Sequence, residues 1–232
     1  MTTLHLLCAG AAQGLVKALQ ARFEAETGAE VQARFGAVGA MKEALLAGEP
    51  CDVMIVTEAM VDGLCREGRL QPPTRAPLGR VRTGIAVQAG VPHPDVSSPE
   101  ALKSALLAAR AIYFPDPVRA TAGIHFAKVM AELGILQTVE PRFRSYPAGA
   151  VAMRELALAR GPGLIGCTQV TEINYTDGVE LVGVLPLQFE LATTYTAAVS
   201  AATVQPALAA RFIALLTGPE TRGQREGGGF EF

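Results

Sequence analysis

The feature that most constrains this chain is a repeated order of segments: a short apolar run, a turn of small residues, then a stretch with helical spacing. Residues 4–9 are apolar, and Gly-Ala-Ala-Gln-Gly at 10–14 reads as a turn. Residues 15–27 place Leu15, Val16, Leu19 and Phe23 on one helical face, ending at Gly28. The order repeats with a strand at 30–35, a small-residue turn at 36–39 and a helix at 40–47. A strand at 51–57 (CDVMIVT) and a helix at 58–67 follow. That strand is nearly all apolar, as a strand covered on both faces must be. Strands alternating with helices require a mainly parallel sheet with right-handed crossovers.

The stretch Gln-Pro-Pro-Thr-Arg-Ala-Pro at 71–77 interrupts the pattern and reads as a domain edge. A strand at 81–88 leads through a proline-rich loop to a helix at 99–109, with Ser98 as its cap. A second series follows: strand 111–114, helix 123–133, strand 142–146, helix 149–159, strand 164–167, a short segment about Glu172, and strands 179–184 and 191–198. A helix at 206–216 precedes a glycine-rich tail that docks an aromatic residue. The fold class is therefore α/β. Two lobes are expected, residues 1–79 with 197–232 and residues 80–196, joined by two crossover strands that act as a hinge beside an interlobe ligand cleft.

Composition narrows the partners. Half of the residues are hydrophobic and 18% are charged, which excludes a disordered chain. The net charge of −2 and the absence of Trp argue against nucleic acid. No run of about 18 apolar residues exists, so membrane insertion is not expected. The four cysteines (Cys8, Cys51, Cys65, Cys167) are scattered without a C-x-x-C pair, so neither a metal site nor a disulfide framework is implied. The first ten residues lack a basic n-region and a long apolar h-region. As written, the chain is expected in the cytoplasm; a mature export product would be periplasmic and would deliver to a transporter permease. A monomer is expected. Gly10-x-x-x-Gly14 is not a dinucleotide fingerprint, and Arg34-Phe35 stands where an acidic residue would end the second strand. No P-loop and no G-x-S-x-G elbow is present.

Chemistry is left to the turns. A helix N-terminus presents unpaired N–H groups and a partial positive charge, and small residues let a ligand approach the backbone. Four such turns stand at 10–14, 36–39, 121–123 and 148–150. Converging on one cleft, they would bind an oxyanion or a carboxylate without lysine.

At these turns the chain resembles a family. LLCAGAAQGLVKALQARFEAETG and FGAVGAMKEALLAGEPCDVMIVTEAMVDGL, then DPVRATAGIHFAKVMAELGI and LIGCTQVTEI, match the ordered motifs of periplasmic molybdate-binding proteins. The resemblance covers most of the chain. It implies a two-lobed type-2 periplasmic-binding-protein fold, each lobe a mainly parallel sheet flanked by helices, with an anion between the lobes. The family's first serine is replaced by Ala11, its second falls where Ala37, Val38 and Gly39 stand, and its tyrosine corresponds to Gln169. Each hydroxyl donor missing from a dry oxyanion site costs roughly 1–3 kcal/mol. The expected ligand is therefore a small organic carboxylate rather than molybdate. The resemblance places it against Ala11, Ala12, Gln13, Ala37, Val38, Gly39, Thr121, Ala122, Gly123 and Gln169, with Arg119 able to fork onto a carboxylate.

A second function class stays open. Enzymes that isomerise unsaturated di- or tricarboxylates, aconitate isomerase among them, resemble the same family. Moving a proton along an allylic system needs a base and stabilisation of an enolate-like charge, but no cofactor. His125, Glu172 and Tyr146 are the candidate catalytic residues. Ligand-sensing domains of transcription regulators share the fold, but no helix-turn-helix segment precedes this chain's first strand.

Overall fold

A computed structural model describes residues 2–232. In chain order the elements are β1 (Thr3–Ala9), α1 (Gly10–Thr27), β2 (Glu30–Gly36), α2 (Val38–Leu46), β3 (Val53–Thr57), α3 (Glu58–Arg66) and β4 (Ala76–Gln88). Then come α4 (Pro99–Ala108), β5 (Ala111–Pro115), α5 (Thr121–Glu132), α6 (Leu136–Val139), β6 (Phe143–Tyr146), α7 (Gly149–Leu158), β7 (Leu164–Gln169) and α8 (Val170–Asn174). Last are β8 (Val179–Val184), β9 (Ala192–Val199), α9 (Pro206–Thr217) and α10 (Arg222–Gly228). The chain divides into two compact units: one runs up to Val81 and resumes at Thr193–Phe232, the other is Arg82–Ala192.

In the first unit the strands lie in the order β2-β1-β3-β9. β1 is parallel to β2 and β3, and β9 runs antiparallel to β3. Leu6 sits in register between Ala33 and Val53. β3 is buried over Val53, Met54, Ile55 and Val56, as its unbroken apolar run requires. α1 buries Leu15, Val16, Leu19 and Phe23 and ends at Gly28, whose left-handed φ of 69° lets its N–H bond to the Glu24 carbonyl. Phe23 meets Phe212 of α9 edge-on, ring centroids 4.8 Å apart, with neither side chain exposed. The carboxyl group of Asp52 accepts the N–H of His5 at 2.8 Å and the hydroxyl of Thr203, tying β1 to the segment after β9. The tail docks through Phe230, which is 2% exposed. Its passage against Gly79 leaves no room for a Cβ there, and Gly79 takes φ +139°.

In the second unit β7, β5 and β6 are parallel, and β4 runs antiparallel to β7 and to β8. β5 separates two apolar layers. Ile112 and Phe114 face a core with Phe126, Val129, Met130 and Ile165; Ala111 and Tyr113 face another with Met153, Leu156 and Ile173. Alternate residues of one strand thus serve opposite faces, which is why helices are needed on both. Phe114 packs edge-on against Phe126 and Phe143.

Several element boundaries depart from the sequence expectation. Residues 10–14 form the first turn of α1, not a loop before it. α2 likewise starts at Val38 and α5 at Thr121. For α1 and α2 one extended residue converts strand to helix, whereas a turn at 116–120 leads into α5; alanine-rich segments propagate helix readily. β4 starts at Ala76, ahead of the expected 81; Pro77 is accommodated near the beginning of the strand, where its missing N–H matters least. α6 and α10 escape the periodicity, being only 4 and 7 residues long.

Phe212→Ala removes half of the edge-on pair and should lower unfolding free energy by about 3–5 kcal/mol. Gly63→Ala, on α3 with open space about its Cβ position, should raise it by up to about 1 kcal/mol. Urea unfolding of the two variants checks both signs.

Candidate functional site

Alanine occupies the N-cap of four helices whose preceding element is a strand: Ala9 for α1, Ala37 for α2, Ala120 for α5 and Ala148 for α7. None makes a side-chain cap, and alanine has no group to make one. Relative to Ser, Thr, Asp or Asn, an alanine N-cap costs about 0.5–2 kcal/mol. α4 shows the ordinary solution within the same chain, where Ser98 Oγ accepts the N–H of Ala101 at 3.1 Å. The first intrahelical bond of α2 is Met41 N–H to Ala37, and that of α5 is Ile124 N–H to Ala120. The N–H groups of Val38 and Gly39, and of Thr121, Ala122 and Gly123, therefore precede the helical ladder.

The helices differ in what answers these N–H groups. α3 carries Glu58 in its own first turn. α1, α2 and α5 have no acidic residue there. α7 is served from α8: the carboxyl group of Glu172 accepts the Ala150 N–H at 3.2 Å and the Thr168 hydroxyl, with further backbone bonds from Gly149 and Gln169. A Cβ on Gly149 would overlap Thr168 Oγ1 and Glu172 Oε2, so glycine is required for the carboxyl group to reach the helix end. A Cβ on Gly123 would likewise overlap the carbonyl oxygens of Pro115 and Asp116. Of the four turns, the one at 148–150 is thus filled from within, and at the other three neither a side-chain cap nor an acid in the first turn answers the N–H groups.

Among the remaining candidates, Ala11, Ala12 and Ala122 are buried, and Gln13 and Thr121 are half-buried. Arg119 is exposed, and its N–H donates to Asp116 Oδ1 at 3.0 Å, as does that of Val118 at 2.7 Å. His125 Nε2 lies 2.7 Å from the carbonyl oxygen of Phe189; a carbonyl only accepts, so Nε2 carries the proton and Nδ1 is left. Tyr146 stacks on Tyr113 with centroids 6.1 Å apart, and burial followed by the nearby Glu155 charge raises its phenol pKa above the usual value. Burial also raises the Glu172 carboxyl above the usual carboxylate range, against the lowering effect of its four hydrogen bonds. Sequence reasoning misses Thr83 and Thr171, each 1% exposed, whose hydroxyls have no hydrogen-bond partner; Gln169, 2% exposed, lacks partners on both amide atoms. A lone Thr in the otherwise apolar run of residues 83–87 is the available signal.

Among the described residues no cluster of three or more His, Cys, Asp or Glu is placed to hold a metal. No helix there is long and apolar enough to cross a membrane. Three concavities within single units lie away from the candidates, one of them about 480 Å³ and lined by Gln32, Arg34 and Glu49. One in the second unit is about 290 Å³ and walled by Val87, Pro92, Ala105 and Pro162; one in the first is about 550 Å³ and includes His5, Cys51 and Arg69. Burial pushes the Cys51 thiol up to about 12, leaving it protonated and unreactive at neutral pH.

Residues 4–231 match the sequence profile of the bacterial extracellular solute-binding protein family. An aconitate isomerase from a Pseudomonas species is 26% identical over 212 residues, 89% of this chain and 79% of that protein. The periplasmic molybdate-binding protein of Azotobacter vinelandii superposes with a TM-score of 0.80 at 20% identity, covering 99% of each chain. The sulfate-binding protein of Mycobacterium tuberculosis H37Rv superposes with a TM-score of 0.74 at 17% identity, covering 99% of this chain and 86% of that one.

Glu172→Gln tests the filled turn. With its pKa raised in the folded state, the native protein holds this proton more tightly than the unfolded chain. The contribution of Glu172 to stability should therefore be greatest below the unfolded value and fall as pH rises through the raised folded value. The stability of Glu172→Gln relative to the parent should climb over that window and be flat outside it. Parallel urea-unfolding curves at all pH values would refute this.

Proposed function

Since this chain belongs to the bacterial extracellular solute-binding protein family, we propose that it binds a small organic carboxylate through helix N-termini. The observation that carries this reading is the set of alanine N-caps on α1, α2 and α5, none with an acid in the first turn. Backbone N–H groups at such ends bind carboxylate oxygens without a compensating cation. Ala11, Ala12 and Gln13, with Ala37, Val38 and Gly39, supply the donors of the first unit. Thr121, Ala122 and Gly123 supply those of the second. Arg119 stands on the loop leading into α5 and adds a fork for a carboxylate. Hydroxyls of Ser are missing from the first two turns, and a compact tetrahedral oxyanion would lose a bond at each. A carbon skeleton spaces its carboxylates and needs fewer donors at any one point.

A second reading is favoured by the similarity to aconitate isomerase along 212 residues. In it the bound acid is an unsaturated tricarboxylate. A base removes a proton from the allylic methylene, the double bond shifts, and a proton returns at the far carbon, so no oxidant or cofactor is required. His125 fits the base through Nδ1, because its Nε2 proton is held by the Phe189 carbonyl. Glu172 fits less well, since its carboxyl group is engaged by Thr168 and the α7 backbone.

Thermal unfolding in the presence of molybdate, tungstate, sulfate, phosphate, and di- and tricarboxylates separates the ligands, because a native-state ligand raises Tm. Carboxylates should raise it and Arg119→Ala should weaken their binding about tenfold or more. Stabilisation by molybdate alone would overturn the proposal. Incubation with cis-aconitate and chromatography of the products tests the second reading; conversion that persists in His125→Phe would remove that residue as the base.

A further inference from the structure

Among the described residues, three of the five buried side chains with an unpaired polar atom lie about the end of β7; the other two are Thr196 and Arg225. Gln169 closes that strand with neither amide atom paired, and the hydroxyl of Thr171 is unpaired two residues on. Thr83 is the direct cross-strand partner of Gln169 in the antiparallel β4–β7 pair. Directly opposed residues raise their side chains from the same face of the sheet, with Cβ atoms about 4.5–5.5 Å apart. Thr83 and Gln169 are therefore near enough in register to bond each other, yet each stays unpaired while almost wholly buried. Buried side-chain amides and hydroxyls are normally satisfied, so three unpaired groups at one strand end call for a partner that the chain itself does not supply.

Their chemistry says what. A carboxyl group is already in place beside them: Glu172 takes the Gln169 backbone N–H and the first N–H groups of α7. A ligand carboxylate brought to this spot would offer acceptors only. It would leave Gln169 Oε1 without a donor and would add a second acidic group next to Glu172. An alcohol hydroxyl meets the opposite description, donating one hydrogen bond to Oε1 and accepting from Nε2 or from a threonine hydroxyl.

We propose that Gln169, Thr83 and Thr171 recognise an alcohol hydroxyl, so that the ligand is a hydroxycarboxylate and Gln169 and Thr83 determine its specificity. The inference rests on the carboxylate-binding reading: the open helix ends take the ionised groups, and the end of β7 reads the hydroxyl. A site built to bond a hydroxyl discriminates strongly against the analogue lacking it, because its own polar groups are then left unpaired.

Calorimetric titration with matched acids tests this. Citrate against tricarballylate, and malate against succinate, differ only in the hydroxyl. The hydroxylated member of at least one pair should bind about tenfold or more tightly than its partner. Thr83→Val and Gln169→Leu should each erase most of that preference by lowering the affinity for the hydroxylated acid toward that of its partner. Thr83→Val should also leave Tm of the ligand-free protein undiminished, since an unpaired hydroxyl contributes no bond. Equal affinity within both pairs would overturn the inference and leave carboxylate binding standing. Failure of all four acids to bind would overturn both. A clear fall in Tm on Thr83→Val would show the hydroxyl paired to an ordered water and would also overturn the inference.

Discussion

A helix that starts at the end of a strand, or of the short turn after it, has first N–H groups that its own ladder does not bond. Everything distinctive about this chain follows from how that constraint is met. At α3 the first turn supplies its own Glu58. At α7 and α8 one buried carboxyl group, Glu172, serves two helix ends at once, and Gly149 exists to admit it. At α1, α2 and α5 the local sequence does not answer, since alanine at the N-cap has no side-chain acceptor and no acid follows in the first turn. Each such omission forgoes about 0.5–2 kcal/mol that a serine or aspartate would supply. Ser98 at α4 shows the ordinary side-chain cap in the same chain.

Much of this is legible in the sequence alone. The apolar runs at 4–9, 51–57 and 111–114 form β1, β3 and β5 because buried parallel strands tolerate little else. The face of Leu15, Val16, Leu19 and Phe23 packs as its spacing requires. The turns are misplaced by sequence reasoning for a physical reason: small residues mark both a loop and the close approach of a helix start, and composition alone cannot distinguish them. Only the absence of any intervening residue between Ala9 and Gly10 turns the same letters into helix. The filling of the fourth turn is out of reach as well. Glu172 lies 22 residues from Ala150, and no local pattern announces a bond across that distance.

The buried carboxyl groups separate scaffold from site. Asp52 bonds the His5 N–H and the Thr203 hydroxyl; Glu172 bonds the Thr168 hydroxyl and the α7 backbone. Both are acids that the fold carries to tie distant segments together, and both use a hydroxyl and main-chain donors. Burial raises the Glu172 carboxyl despite four donors, which shows how costly an enclosed charge is even when well bonded. A carboxylate arriving from solution meets the same requirement, and it needs donors that no internal acid has taken.

That requirement orders the candidate residues. His125, Tyr146 and Glu172 each carry chemistry that a catalyst can use, but each is already engaged: His125 by Phe189, Tyr146 by the Tyr113 ring, Glu172 by two helix ends. His125 keeps Nδ1 beside its bonded Nε2, and ring stacking leaves the Tyr146 hydroxyl outside the contact with Tyr113. The uncapped N–H groups and the unpaired side chains of Thr83, Gln169 and Thr171 are not so engaged. In the proposed reading, recognition is a matter of donors and acceptors left open, while the buried carboxyl groups hold the fold.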